Sequence, residues 1–168
     1  GMQLALGDVK GGSKTPGMVR KVLEWRRDSP DDANRVWGQL DEANRATESC
    51  FRQLSALAAQ DSELYQQGIK QCERIASNQW AATGRVGALL AELRGGFALV
   101  RRFLREMGTG AGVPIEPESQ GALLDYTEAV PGVLISGVPG AGGFDAIFAI
   151  ILSPGVAPTL EAKWKAYP

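Results

Sequence analysis

Apolar residues recur every three or four positions through most of the chain, the spacing that lines one face of an α-helix. Met18, Val22 and Trp25, with Val19 alongside, mark a first helix ending near Asp28; Thr15 is placed to cap it and Pro16 to occupy its first turn. Ser29-Pro30-Asp31-Asp32 opens a second helix with a cap residue, a proline and two acids against the positive end of the helix dipole. Val36, Leu40, Ala43, Cys50, Leu54 and Leu57 carry it on. Asp61-Ser62 starts a third, with Leu64, Ile69, Cys72 and Ile75 on its apolar side. The most regular stripe is the fourth: Val86, Leu90, Leu93, Phe97, Val100, Leu104 and Met107. Gly95-Gly96 do not disturb its phase, and the glycines from Gly108 to Gly112 predict its end. A short helix follows through Leu123, Leu124 and Tyr126, and a closing one near Pro158–Trp164.

Three stretches break this period. Met2 to Val9 alternates weakly, as a strand does. Val133 to Val138 and Phe144 to Leu152 are short apolar runs rich in β-branched residues, separated by a segment that completes four glycines in seven positions (Gly137, Gly140, Gly142, Gly143). They predict an antiparallel hairpin at the centre of a sheet. The fold class expected is α+β, with long helices packed on a small antiparallel sheet. The helical stripes are core faces, not cofactor sites.

The glycine loop is the first candidate for chemistry. Glycines this dense admit positive φ and let a ligand approach the main chain, and exposed N–H groups there form a concavity suited to phosphate. The other reading is a bent hairpin with no ligand. Two better-known glycine motifs fail on their residues. Gly137 and Gly142 have Walker A spacing, but Gly143 and Phe144 stand where Lys and Ser/Thr are required. A dinucleotide fingerprint needs a following helix, a further strand and an acid, and Glu161 lies in a polar tail without that unit. If the loop meets phosphate, Gly142→Val should harm turnover far more than folding, whereas Asp145, which caps or orients the loop, should matter less.

A second candidate is the opening of the first helix. Gly11-Gly12-Ser13-Lys14-Thr15-Pro16 puts hydroxyls and a cation at a helix N-terminus, which presents free N–H groups to anions. A plain loop with a cap explains the same residues.

Composition removes several function classes. A chain of 168 residues suffices for one domain with a sizeable core. A formal net charge of −1 argues against nucleic acid as the main partner. No apolar run approaches a membrane span, and no secretory signal is recognisable. Cys50 and Cys72 lie on helical stripes and need not pair, which fits a cytoplasmic protein. With no histidine, Ser-His-Asp and Cys-His catalysis and His-ligated zinc are excluded. Charge is uneven, however: six cations stand against two acids up to Arg27, and Arg101, Arg102 and Arg105 cluster late in the fourth helix.

The loop wording Gly137-Val-Pro-Gly-Ala-Gly-Gly-Phe-Asp-Ala-Ile resembles the third motif of the GHMP kinases, and within them most closely the fungal phosphomevalonate kinases. Gly12-Ser-Lys-Thr with Met18-Val19, and Ile115-Glu-Pro with Gln120 and Leu123-Leu-Asp, resemble two further segments of the same enzymes. The resemblance spans nearly the whole chain. It implies that residues 1–168 are a ferredoxin-like C-terminal, substrate-side domain, and that the N-terminal ATP-binding domain belongs elsewhere in a longer protein. It further implies transfer of the γ-phosphoryl of Mg-ATP to 5-phosphomevalonate, on the route to isoprenoids and sterols. ATP and Mg2+ would be held by the longer enzyme and not by this domain alone, which would carry no catalytic residue and no metal. Substrate contacts would come from Ser13, Lys14 and Thr15, from Gly140, Ala141, Gly142, Gly143 and Asp145, and from Arg101 and Arg102. A different class of function, a non-catalytic helical interaction or metabolite-binding module that kept a glycine hairpin, accounts for the same composition.

Overall fold

The computed structural model describes residues 1–9 and 15–168, the side chain of Thr15 excepted. Ser13 and Lys14, and the cap expected from Thr15, therefore lie outside the described residues.

Strand β1 (Gln3–Asp8) precedes helices α1 (Thr15–Asp28), α2 (Pro30–Gln60) and α3 (Ser62–Glu73). Helix α4 (Arg85–Ala111) follows a 3-10 turn at Ser77–Ala82; then come α5 (Glu118–Glu128), β2 (Val133–Gly137), β3 (Ala146–Ile151) and α6 (Ala157–Lys165). The α+β expectation is met by long helices on a small antiparallel sheet. The three strands lie in the order β1-β3-β2. β1 and β2 are thus parallel with β3 between them, the split β-α-β arrangement of ferredoxin-like units. The hairpin forms where expected, but only β3 is central; β2 and β1 are marginal. Leu4 and Leu6 of β1 remain 63% and 65% exposed.

The long stripes bury as their spacing requires. Cys50, Leu54 and Leu57 of α2 meet Ile69 and Cys72 of α3 and Leu89, Leu90 and Leu93 of α4 in one cluster, which reaches the sheet at Leu134 and Ile135. A second cluster joins Met18 and Trp25 of α1 to Val36 of α2 and to Val100, Phe103 and Met107 of α4, and extends to Val113 and Ile115. On the sheet's other face, Ile147, Ala149 and Ile151 pack against α5 and α6 through Leu124, Val156 and Leu160. α4 runs unbroken through Gly95-Gly96 and past Gly108, stopping at Gly112, because its apolar face stays packed throughout.

The 3-10 turn carries Trp80, which is buried and donates its indole N–H to the Cys72 carbonyl at 2.8 Å. Cys50 and Cys72 are both free and buried. Burial pushes both thiols above their ordinary pKa, Glu92 adding to the effect at Cys50 and a hydrogen bond with Thr83 opposing it at Cys72. Neither thiol should react measurably with an aromatic disulfide reagent until the chain is unfolded, when both titrate; rapid labelling of the native protein would contradict this burial. An acid whose folded pKa is raised holds its proton longer than the unfolded chain does, so these thiols stabilise the fold below the ordinary thiol pKa. That contribution disappears as pH rises through the folded pKa.

Candidate functional site

The loop between β2 and β3 is built on three glycines with positive φ: Gly140 at 65°, Gly142 at 78° and Gly143 at 109°. The Gly142 N–H donates to the Pro139 carbonyl at 3.1 Å, closing a four-residue turn around Gly140 and Ala141. Positive φ at the first central position is the geometry that calls for glycine there. The next donor, Gly143 N–H, reaches the Ile115 carbonyl at 2.9 Å and ties the loop to the segment entering α5.

These two bonds correct part of the cradle expected from the sequence. Gly142 and Gly143 spend their N–H groups inside the protein. Among the described residues, the N–H groups of Gly140 and Ala141 donate to nothing, and Gly140 is exposed at the tip. The open donors are therefore the pair at the turn and not all four.

Gly142 differs from expectation in a second way. A Cβ built on it lies 2.1 Å from the Ile115 carbonyl oxygen, while one on Gly140 meets nothing within 4 Å. Gly142→Val would push the loop off the Ile115 segment, so its effect would not separate turnover from folding. Gly140 is the position where a side chain enters open space.

Asp145 contributes through its main chain. Its carbonyl accepts the Val9 N–H at 2.8 Å, and its side chain is exposed. This bond extends the β1–β3 pairing past Asp8 and Ala146, so β1 leaves the sheet beside the loop.

The two arginines proposed from the sequence are placed on different faces of α4. Arg102 is exposed, hydrogen-bonded to Glu106 four residues on at 3.0 Å and lying over the Phe103 ring. It is not brought to the loop's supports. Arg101 is 6% exposed. Its guanidinium donates from Nη2 to Glu116 at 2.8 Å, and ion-pairs with Asp125 at 3.0 Å and Glu128 at 3.4 Å. Burial opposes its charge, but the hydrogen bond and charge of Glu116, with Glu128 and Asp125 behind them, raise its pKa above the ordinary value.

Residues that sequence reasoning did not single out complete this network. Glu116, whose side chain has no exposure, also accepts from Arg105 at 2.6 Å. Glu128 accepts from both the backbone N–H and the hydroxyl of Ser136 in β2 at 3.0 Å. Arg94 pairs with Glu128 at 3.2 Å and caps the Val133 and Leu134 carbonyls at 3.0 Å. A cavity of about 490 Å³ opens beside it, with Arg101, Arg105, Glu118, Asp125 and Glu128 among its lining residues. The only signal in the sequence was the four-residue spacing of Arg101 and Arg105, which puts both on one helix face.

Among the described residues, no three His, Cys, Asp or Glu side chains are grouped to hold a metal ion. No helix among them is long and apolar enough to cross a membrane.

No protein-family model matches the chain. Individual proteins do. The peroxisomal phosphomevalonate kinase of Arabidopsis thaliana is 45% identical over 158 residues, covering 90% of this chain and 31% of that protein. The phosphomevalonate kinase of Candida albicans is 34% identical over 152 residues, again 90% of this chain and 31% of the relative. The likeness read from the loop wording thus holds for a fungal relative and extends to a plant one. The chain spans about a third of the length of these relatives. Among solved structures, the Lin0012 protein of Listeria innocua superposes with a TM-score of 0.66 over 97% of this chain and 36% of its own, at 19% identity; that likeness concerns the fold alone.

Proposed function

We propose, from this chain's kinship with the phosphomevalonate kinases, that it is the C-terminal, acceptor-side domain of such a kinase. The reaction is transfer of the γ-phosphoryl of ATP to 5-phosphomevalonate, giving the diphosphate used for isoprenoid and sterol synthesis. The observation that carries the reading is the pair of uncommitted N–H groups at Gly140 and Ala141, at the exposed tip of a loop tied to the Ile115 segment.

Phosphoryl transfer depends on position and on neutralising charge. Two oriented amides at a fixed turn suit the acceptor's phosphate oxygens, since they need no reorganisation as charge develops. Ser13, Lys14 and Thr15 are assigned to the same phosphate from their sequence pattern. On the same kinship, metal, nucleotide and proton acceptor are assigned to the rest of a longer polypeptide, and no step is routed through them here. Two free, buried thiols suit a reducing compartment such as the cytoplasm.

A coupled ADP-release assay tests the assignment. The 168-residue chain with ATP, magnesium and 5-phosphomevalonate should remain at background, while the full-length protein turns over. Turnover by the purified chain alone would overturn the division of labour. Absence of turnover by the full-length protein with any phosphorylated acid would favour the non-catalytic module.

A further inference from the structure

The glycine loop has two stems: one is bound by a carboxylate, the other by the main chain next to one. On the β3 side, Gly143 N–H is bound by the carbonyl of Ile115, the residue before Glu116. On the β2 side, Ser136 gives its N–H and hydroxyl to Glu128. One guanidinium, that of Arg101, contacts both carboxylates, at 2.8 Å and 3.4 Å.

We propose that Arg101 is a positioning residue that sets the glycine loop from both stems at once, through Glu116 and Glu128. The function of the loop as a phosphate site is the reading given above, on which the biological value of this device rests. Arg101 suits the role chemically. Its planar fork directs Nε and Nη2 toward Glu116 while Nη1 faces Glu128, a division that a lysine ammonium cannot reproduce in fixed geometry. Its burial against Glu116, whose side chain has no exposure, keeps water from competing for that carboxylate. A direct contact with phosphate would require Arg101 to loosen its bonds to the buried Glu116 and the largely buried Glu128, with the exposed Asp125 as a third carboxylate beside it.

Amide hydrogen exchange on the 168-residue chain, residue by residue, tests this. Arg101→Lys should raise exchange at both Gly143 and Ser136 by about tenfold or more, while core amides such as Leu54 and Leu90 keep their protection. Glu116→Gln should affect Gly143 alone, and Glu128→Gln should affect Ser136 alone. Unchanged exchange at both stems, or an equal rise throughout the core, would overturn the proposal. Should Arg101→Lys fail to fold, Arg105→Gln, at a partly exposed side chain, must still loosen Gly143 selectively; if it does not, the link through Glu116 is wrong. Titrating the unaltered chain with inorganic pyrophosphate separates this from the phosphate reading. Stem loosening in the variants, with no pyrophosphate response at Gly140 and Ala141, leaves the positioning device intact and removes only the ligand.

Discussion

If the proposed reading holds, Gly140→Val in the full-length protein is expected to lower turnover of 5-phosphomevalonate by roughly two to three decades, the usual effect of losing an oriented donor to developing charge. A Cβ added there meets nothing within 4 Å among the described residues, so it enters open space at the loop tip. Its structural cost is backbone strain, about 1–2 kcal/mol for an L-residue held at positive φ. Gly84 offers a matched control. It too has positive φ, 102°, and open space around its Cβ, but it lies at the opposite end of α4 from the loop's supports. Seventeen residues of helix separate it from Arg101, roughly 25 Å. Gly84→Val should therefore lower the melting temperature at least as much and leave turnover near normal. Equal loss of turnover in the two variants would mean that strain, and not occupation of the loop, governs activity.

Arg101→Met is expected to destabilise the chain by about 3–5 kcal/mol, the typical cost of removing one partner from a buried ion pair. Glu116 would be left with Arg105 alone, and Glu128 with Arg94 and Ser136. Arg102→Met, one residue away, should change stability by no more than about 0.5 kcal/mol, because its pair with Glu106 is exposed. Denaturant unfolding of the two variants measures the contrast directly. Equal and small effects would show that the Arg101 network is not formed in solution.

That contrast also shows where sequence reasoning stops. The helices were legible because their apolar stripes persist across glycines, as Val86 to Met107 does through Gly95-Gly96. The hairpin was legible because β-branched runs flank a glycine cluster. The division of the loop's donors was not, since it depends on Ile115, which lies far from Gly143 in sequence and offers its carbonyl only once α5 is packed. Arg101 and Arg102 read alike as neighbouring cations in a one-dimensional pattern. Their roles separate by the roughly 100° turn between adjacent helical residues, which sends one toward three carboxylates and the other to solvent. Glu116 read as part of a helix start because nothing local in Ile115-Glu116-Pro117 reveals a buried carboxylate. The Trp80 turn was missed for the same reason: its indole bond to Cys72 is tertiary, not periodic.

The most direct test of the account is an amide titration of the full-length protein with 5-phosphomevalonate. The Gly140 and Ala141 resonances should shift saturably, with a midpoint matching the acceptor's kinetic affinity, while those of Gly142 and Gly143, already bonded within the fold, move less. Saturated turnover with unmoved Gly140 and Ala141 amides would contradict it.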